Sequence, residues 1–225
     1  MIDINQYKIT RDFIPVGNSR PGLKNNGVAF LVSHDTGNAG STAHNNRDFF
    51  AKNLNETSAH TFIDDQYILE IIPLDEKAWH VRYDVSTDNN LYGKNANDAA
   101  IGIELCWGGN INFEEAYRRY VWYHTYLLEK FRLDPEKDII SHQRLDPTRR
   151  TDPNNALNRY GITWDAFITE VKKMYQGPNK IIAPNHTVIK YGDKGTTVKI
   201  IQQYLIEIGI PLKSGADGIF GPETV

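Results

Sequence analysis

The chain has 225 residues, 40% hydrophobic and 24% charged, with a formal net charge of −3, a length that suits one well-buried domain of about 100–150 residues plus a smaller module. The near-neutral balance gives no electrostatic case for a nucleic-acid partner, and the lone Cys106 excludes an internal disulfide framework. No run approaches the roughly 18 apolar residues of a membrane span, so membrane insertion is not expected.

The opening Met1-Ile2-Asp3-Ile4-Asn5 has neither the basic region nor the apolar run of a secretory signal. Val28–Ser33 reads as a buried strand leading into His34, and Thr61–Ile63, Tyr67–Ile72 and Ala100–Cys106 read as further strands. From Asn112 to Phe131, residues Phe113, Tyr117, Tyr120, Val121, His124, Leu127, Leu128 and Phe131 recur at steps of three and four. That spacing predicts an amphipathic helix, with Asn112 as its N-cap and Glu115 in an acidic first turn. Asp138–Ser141 is the next strand, and Trp164–Tyr175 a second helix capped by Thr163, with Trp164, Phe167, Ile168, Val171 and Met174 facing inward. Strands interleaved with helices predict an α/β fold, a mixed central sheet covered by helices.

Composition changes after Tyr175, where Gln176-Gly177-Pro178-Asn179 and Ala183-Pro184-Asn185 bring a density of Gly and Pro that ends a domain. The expected division is a main domain over 1–176, a linker over 177–189 and a small helical module over 190–225. In that module Val198, Ile201, Leu205 and Ile208 mark a short helix. Its length of roughly 35 residues is below the ~40 at which an isolated domain usually needs extra support, so a cut-off module is expected.

Two imidazoles and a carboxylate, His34, His142 and Asp152, can close around one zinc ion and leave a fourth position open, the composition of a catalytic zinc site. No local metal motif declares this set, because its members are far apart in sequence. Alternation along Ala100–Cys106 sends Ile101, Ile103 and Leu105 to one face and Gly102, Glu104 and Cys106 to the other. Glu104 on so apolar a strand is either a general base with a raised pKa or a salt-bridged structural residue. His60 and His80 each line a cleft or merely end an element. His124 falls on the apolar stripe of its helix and reads as a core residue, and Cys106 as a packed thiol. His44 and His186 lie in polar stretches without an assignment. Arg149 and Arg150 are either a solvated pair or the source of one guanidinium aimed at a developing oxyanion.

These pieces occur in a familiar order. Val32-Ser33-His34-Asp35-Thr36, Ser58-Ala59-His60-Thr61-Phe62-Ile63-Asp64-Asp65, Ala78-Trp79-His80, Ile101-Gly102-Ile103-Glu104-Leu105-Cys106 and His142 through Asp152-Pro153 together resemble the type 2 N-acetylmuramoyl-L-alanine amidases. That family includes phage lysozyme-amidases and shares its fold with animal peptidoglycan-recognition proteins. The resemblance implies zinc on His34, His142 and Asp152, catalysis by Glu104, and substrate contacts at His60, Trp79 and His80. Arg150 stands where relatives commonly carry a lysine that supports the oxyanion, and Ala59 where some carry a tyrosine.

The module after 190 resembles a helical peptidoglycan-binding repeat, through Tyr191-Gly192-Asp193-Lys194-Gly195, Val198, Ile201-Gln202, Leu205 and Asp217-Gly218-Ile219-Phe220-Gly221-Pro222-Glu223-Thr224. The family pattern continues with another helix, so an incomplete repeat is expected. The implied activity is zinc-dependent hydrolysis of the bond between N-acetylmuramic acid and L-alanine in bacterial peptidoglycan. A zinc peptidase cutting within the stem peptide and a non-catalytic peptidoglycan receptor are the alternatives. Together with the unsignalled amino terminus, the resemblance implies an endolysin made in the host cytoplasm and released to act on the wall, although a bacterial autolysin exported by another route has the same sequence features. Neither the preferred wall chemistry nor an oligomeric state is implied.

Overall fold

A computed structural model describes residue 3 and residues 5–177, 190–207 and 209–222. The chain divides into two compact units, Met1–Tyr175 and Gln176–Val225. In chain order the first contains β1 (Ile9–Arg11), β2 (Phe30–Asp35), α1 (Ala43–Lys52), β3 (Thr61–Ile63), β4 (Ile68–Glu70), α2 (Thr87–Tyr92) and α3 (Ala96–Ala99). There follow β5 (Ala100–Leu105), α4 (Phe113–Phe131), β6 (Ile139–Ser141), α5 (His142–Leu145), α6 (Asn154–Arg159) and α7 (Trp164–Gln176). Of the expected linker, 177–189, residues 178–189 lie outside the described residues.

Six strands form one sheet in the order β1-β4-β3-β5-β2-β6. Only β3 and β4 pair antiparallel, which makes the sheet mixed as the interleaved pattern predicts. Its core follows the alternation of the strands. Leu31, Ile101, Ile103 and Leu105 pack against Tyr120, Val121, Leu127 and Leu128 of α4 and against Phe167 and Val171 of α7. On the opposite face Phe30, Val32, Ala100 and Ile140 pack with Val81, Val85 and Ala96. The α4 helix begins at its expected cap, where the Asn112 side chain accepts from the Glu115 amide at 3.3 Å.

Some boundaries differ from the sequence expectation. The first long strand starts two residues later than Val28 and continues through His34 to Asp35, because pairing with β5 extends along its full length. The predicted Tyr67–Ile72 strand contracts to Ile68–Glu70, the length of its partner β3.

Asp35 ties the end of β2 to the start of α6. Its Oδ2 accepts from the Ala156 amide at 3.0 Å, and its Oδ1 accepts from the Gly37 amide at 2.9 Å, Trp107 Nε1 at 3.3 Å and Asn155 Nδ2 at 3.4 Å. Four donors from three segments of the chain thus meet one acceptor-only group. Two buried histidines brace the sheet in a similar way. His60 Nε2 lies 3.0 Å from the Glu76 carbonyl while its Nδ1 accepts from the Gly102 amide at 3.0 Å. His124 Nδ1 lies 2.8 Å from the Tyr120 carbonyl and its Nε2 2.9 Å from Ser33 Oγ. A carbonyl partner requires the proton on the nitrogen facing it, which fixes the neutral tautomer of each ring.

The second unit contains α8 (Thr196–Glu207). Its Gln202 is buried and holds the following turn: Nε2 donates to Asp217 Oδ1 at 2.7 Å and Oε1 accepts from the Gly218 amide at 2.7 Å. Gly218 adopts φ +77, a conformation that favours glycine. Val198 of the expected apolar stripe is buried; Ile208 and the motif residues Glu223 and Thr224 fall outside the described residues.

Asp35→Asn retains the shape but turns an amide donor toward at least one of the four donors. The expected cost is about 1.5–3 kcal/mol, the range for hydrogen bonds to a charged group, read from the urea midpoint. Burial lowers His60 to about 4 and His124 to about 3, below the ordinary value of about 6.5. The unfolded chain therefore binds more protons on the acid side. Their stabilisation is complete above about pH 6.5 and declines as pH falls toward 4, with a slope of up to about 1.4 kcal/mol per pH unit for each imidazole. Urea unfolding of the chelated protein should show a lower midpoint at pH 5 than at pH 7, and equal midpoints would contradict the neutral buried rings.

Candidate metal centre

Parallel pairing of β2 with β5 sets His34 beside Glu104, on the sheet face away from α4. Tyr120 of α4 holds the strand from beneath, its hydroxyl donating to the His34 carbonyl at 3.0 Å. His142 opens α5 just beyond β6, where the Ser141 side chain caps the turn by accepting from the Arg144 amide at 3.1 Å. Asp152 follows on the segment into α6, and its carbonyl accepts from the Gln143 amide at 2.9 Å. His34, Glu104 and His142 lie at the carboxyl ends of parallel strands, the end at which open α/β sheets bind ligands.

The structure brings the three expected ligands together. His34 Nδ1 and His142 Nδ1 each lie 2.9 Å from the same Asp152 Oδ2, and one potential ligand atom from each residue falls within 4.8 Å of the others. Both imidazoles are buried. Burial lowers the His34 pKa to about 4, and the neighbouring His142 charge acts in the same direction. The ring is thus neutral, with a lone pair to offer, at neutral pH. Burial alone would raise Asp152, but hydrogen bonding to His142 and His34 outweighs it and holds the carboxyl well below its ordinary range. A neutral imidazole and an ionised carboxylate are the states in which these residues bind a metal, so the donor set fits zinc.

Glu104 stands next to this group without an ion pair or hydrogen bond among the described residues, and its buried Oε2 has no partner. Burial raises its pKa well above the ordinary value, the Asp152 and Asp35 carboxylates add to the rise, and Arg150 opposes it. The salt-bridged reading of Glu104 therefore lacks a partner. A carboxyl that is both shielded and free can accept a proton and return it.

These groups line a cleft of about 340 Å³, together with Thr36, Ser58, Trp79, His80 and Arg150. A larger groove of about 560 Å³ between Tyr92, Lys137, Arg144 and Trp164 collects no comparable set of buried titratable groups. Arg149 is tied to Asp146 and Asp84, whereas Arg150 is exposed at the cleft and makes no side-chain hydrogen bond or ion pair among the described residues.

His60 does not join the cleft. It is fully buried with both nitrogens committed to backbone groups, so the expected substrate contact gives way to a structural role. His80 does reach the cleft, with Nδ1 3.1 Å from His34 Nε2. Cys106 is packed among apolar residues, and burial pushes its thiol well above its ordinary pKa, which removes it as a nucleophile. Sequence reasoning passed over Thr36, whose buried hydroxyl has no hydrogen-bond partner among the described residues, and Phe50 of α1. Thr36 had one available signal, its place two residues after a ligand; Phe50 had none.

The sequence matches the family described as N-acetylmuramoyl-L-alanine amidase over residues 24–155. It is 30% identical over 233 residues to the N-acetylmuramoyl-L-alanine amidase CwlL of Bacillus licheniformis, an alignment spanning 97% of this chain and 64% of that protein. It is 28% identical to CwlH of Bacillus subtilis (strain 168), spanning 96% of this chain and 86% of that one. The catalytic domain of XlyA has a similar structure, with a TM-score of 0.61 and 27% identity, covering 73% of this chain and 99% of that domain. Among the described residues no helix is long and apolar enough to cross a membrane. The matched span contains His34, Glu104, His142 and Asp152, and the chain belongs to the N-acetylmuramoyl-L-alanine amidase family.

Proposed function

We propose that the first unit hydrolyses the amide bond between N-acetylmuramic acid and L-alanine in bacterial peptidoglycan, with zinc held by His34, His142 and Asp152. The observation that carries this reading is an unpaired Glu104 carboxyl beside three convergent ligand atoms. The names of the relatives, amidases over most of this chain, agree with it. Bound there, zinc would supply Lewis acidity toward the scissile carbonyl and toward water.

Glu104 takes the proton from the attacking water and delivers it to the departing alanine amine. A divalent cation on the neighbouring residues would oppose the carboxylate repulsion that raises Glu104, bringing it toward the range where it can do both. Arg150, uncommitted at the cleft, is the group available to face the developing oxyanion, while Arg149 is held in its ion pairs. Trp79 lines the wall, and its buried Nε1 has no hydrogen-bond partner among the described residues, which leaves a donor for substrate. The second unit acts as a peptidoglycan-binding repeat that holds the enzyme at the wall once it is released from the cell that made it.

Glu104→Gln should lower turnover by about 10²–10⁴ while zinc content and thermal stability stay near wild type. Wild-type turnover in that variant would remove Glu104 from the mechanism. Asp152→Ala should lose zinc and activity together, and zinc retained in full would reassign that ligand. Digestion of purified sacculi should stop with a chelator, resume with added zinc, and release stem peptides with free L-alanine amino termini. New termini at any other residue, read by mass spectrometry, would identify a stem-peptide peptidase instead.

A further inference from the structure

His34 has two ring nitrogens, and the structure gives each a different neighbour. Nδ1 faces Asp152, and Nε2 lies 3.1 Å from His80 Nδ1, with the two rings edge to face at 83° and centroids 5.3 Å apart. A histidine that offers the Nδ1 lone pair to a metal must carry its proton on Nε2. That proton then points at His80 Nδ1, which accepts it in a hydrogen bond.

We infer that His80 is a positioning residue for His34, holding the ring and its tautomer so that Nδ1 faces the metal. This rests on the reading of His34 as a metal ligand. Two further features hold His80 where the bond needs it. Asn97 Oδ1 accepts from the His80 amide at 2.9 Å and from the Val81 amide at 3.0 Å, fixing the backbone. Gly102 of β5 leaves the space the ring occupies: a Cβ there would come within 2.7 Å of His80 Cγ and 2.8 Å of Nδ1. Gly102 is at an ordinary strand conformation, so the missing side chain serves the neighbour and not the backbone. The substrate contact expected from sequence would have to use the other nitrogen: Nδ1 is turned inward to His34, the residue is only 6% exposed, and Nε2 has no hydrogen-bond partner among the described residues.

The test is zinc affinity, measured by chelator competition on the folded full chain, which needs no substrate. His80→Leu removes the acceptor and should weaken zinc binding by about 10–100-fold, the usual effect of losing such a partner. His80→Asn places an amide oxygen near the position of Nδ1 and should recover most of that loss. Gly102→Ala, which keeps His80 but displaces its ring, should weaken zinc in the same direction and serves as the independent variant if His80→Leu does not fold. Wild-type zinc affinity in Gly102→Ala and in His80→Leu would overturn the inference, as would a rise in KM with zinc binding unchanged, which would make His80 a substrate contact. Asp152→Ala, assayed in parallel, separates the two readings: if that variant also retains zinc in full, the metal centre itself is wrong, whereas zinc lost there and kept in the His80 variants condemns only the positioning role.

Discussion

The register between β2 and β5 is the constraint from which the rest of the site follows. Because parallel strands place paired residues on the same face, pairing His34 with Glu104 sets an imidazole and a carboxyl side by side. A one-residue slip would send one of them into the α4 core, among Leu31, Ile103 and Leu105. The register is therefore protected by burial on the far face, where the same slip would bring polar side chains against Tyr120 and Leu127. Stability of the core and geometry of the site are fixed by one alternation.

Cross-links around the ligands tighten what the sheet begins. The residue after His34, Asp35, holds the amide of Ala156 in α6, while the residue after His142, Gln143, donates to the Asp152 carbonyl. Each member of the cluster is thus one or a few bonds from a residue that grips the segment carrying another. Ligands distant in sequence need such bracing, since holding three side chains in place opposes considerable conformational entropy.

Much of this was legible in the residues, and the reasons differ from part to part. Strands β2 and β5 and helix α4 announce themselves through strong periodicity, because each buries an apolar face. Helix α1 gives no such signal: only Ala43 and Asn46 of its residues are buried, and its start is fixed by a capping box of Thr42 and Asn45. β1 is three residues long, and its pairing with β4 depends on tertiary contact. The residues of the His34, His142 and Asp152 cluster were recognisable by type, but the difference between His60 and His80 was not. Both are lone histidines outside the regular elements. What separates them is the identity of the atoms they meet, backbone groups for His60 and the His34 Nε2 for His80, and no spacing rule encodes that.

The distribution of unpaired polar atoms gives an independent indication of where this molecule does its chemistry. Folded chains pair nearly all buried polar groups, since each one left without a partner costs free energy. Eight buried side-chain atoms lack a hydrogen-bond partner among the described residues, though Arg119 Nε is ion-paired with Glu115, and five of the eight belong to Thr36, Trp79, His80, Glu104 and His142, all lining the same cleft. Elsewhere comparable groups are bonded, as with His60, His124 and Gln202. A purely structural cluster would have been expected to complete its own bonds. Concentrating the deficit in one accessible cleft makes sense if partners arrive from outside, because a ligand that pairs these groups recovers the desolvation cost that folding incurs. Local instability and affinity for a bound group are in that sense the same property of the site.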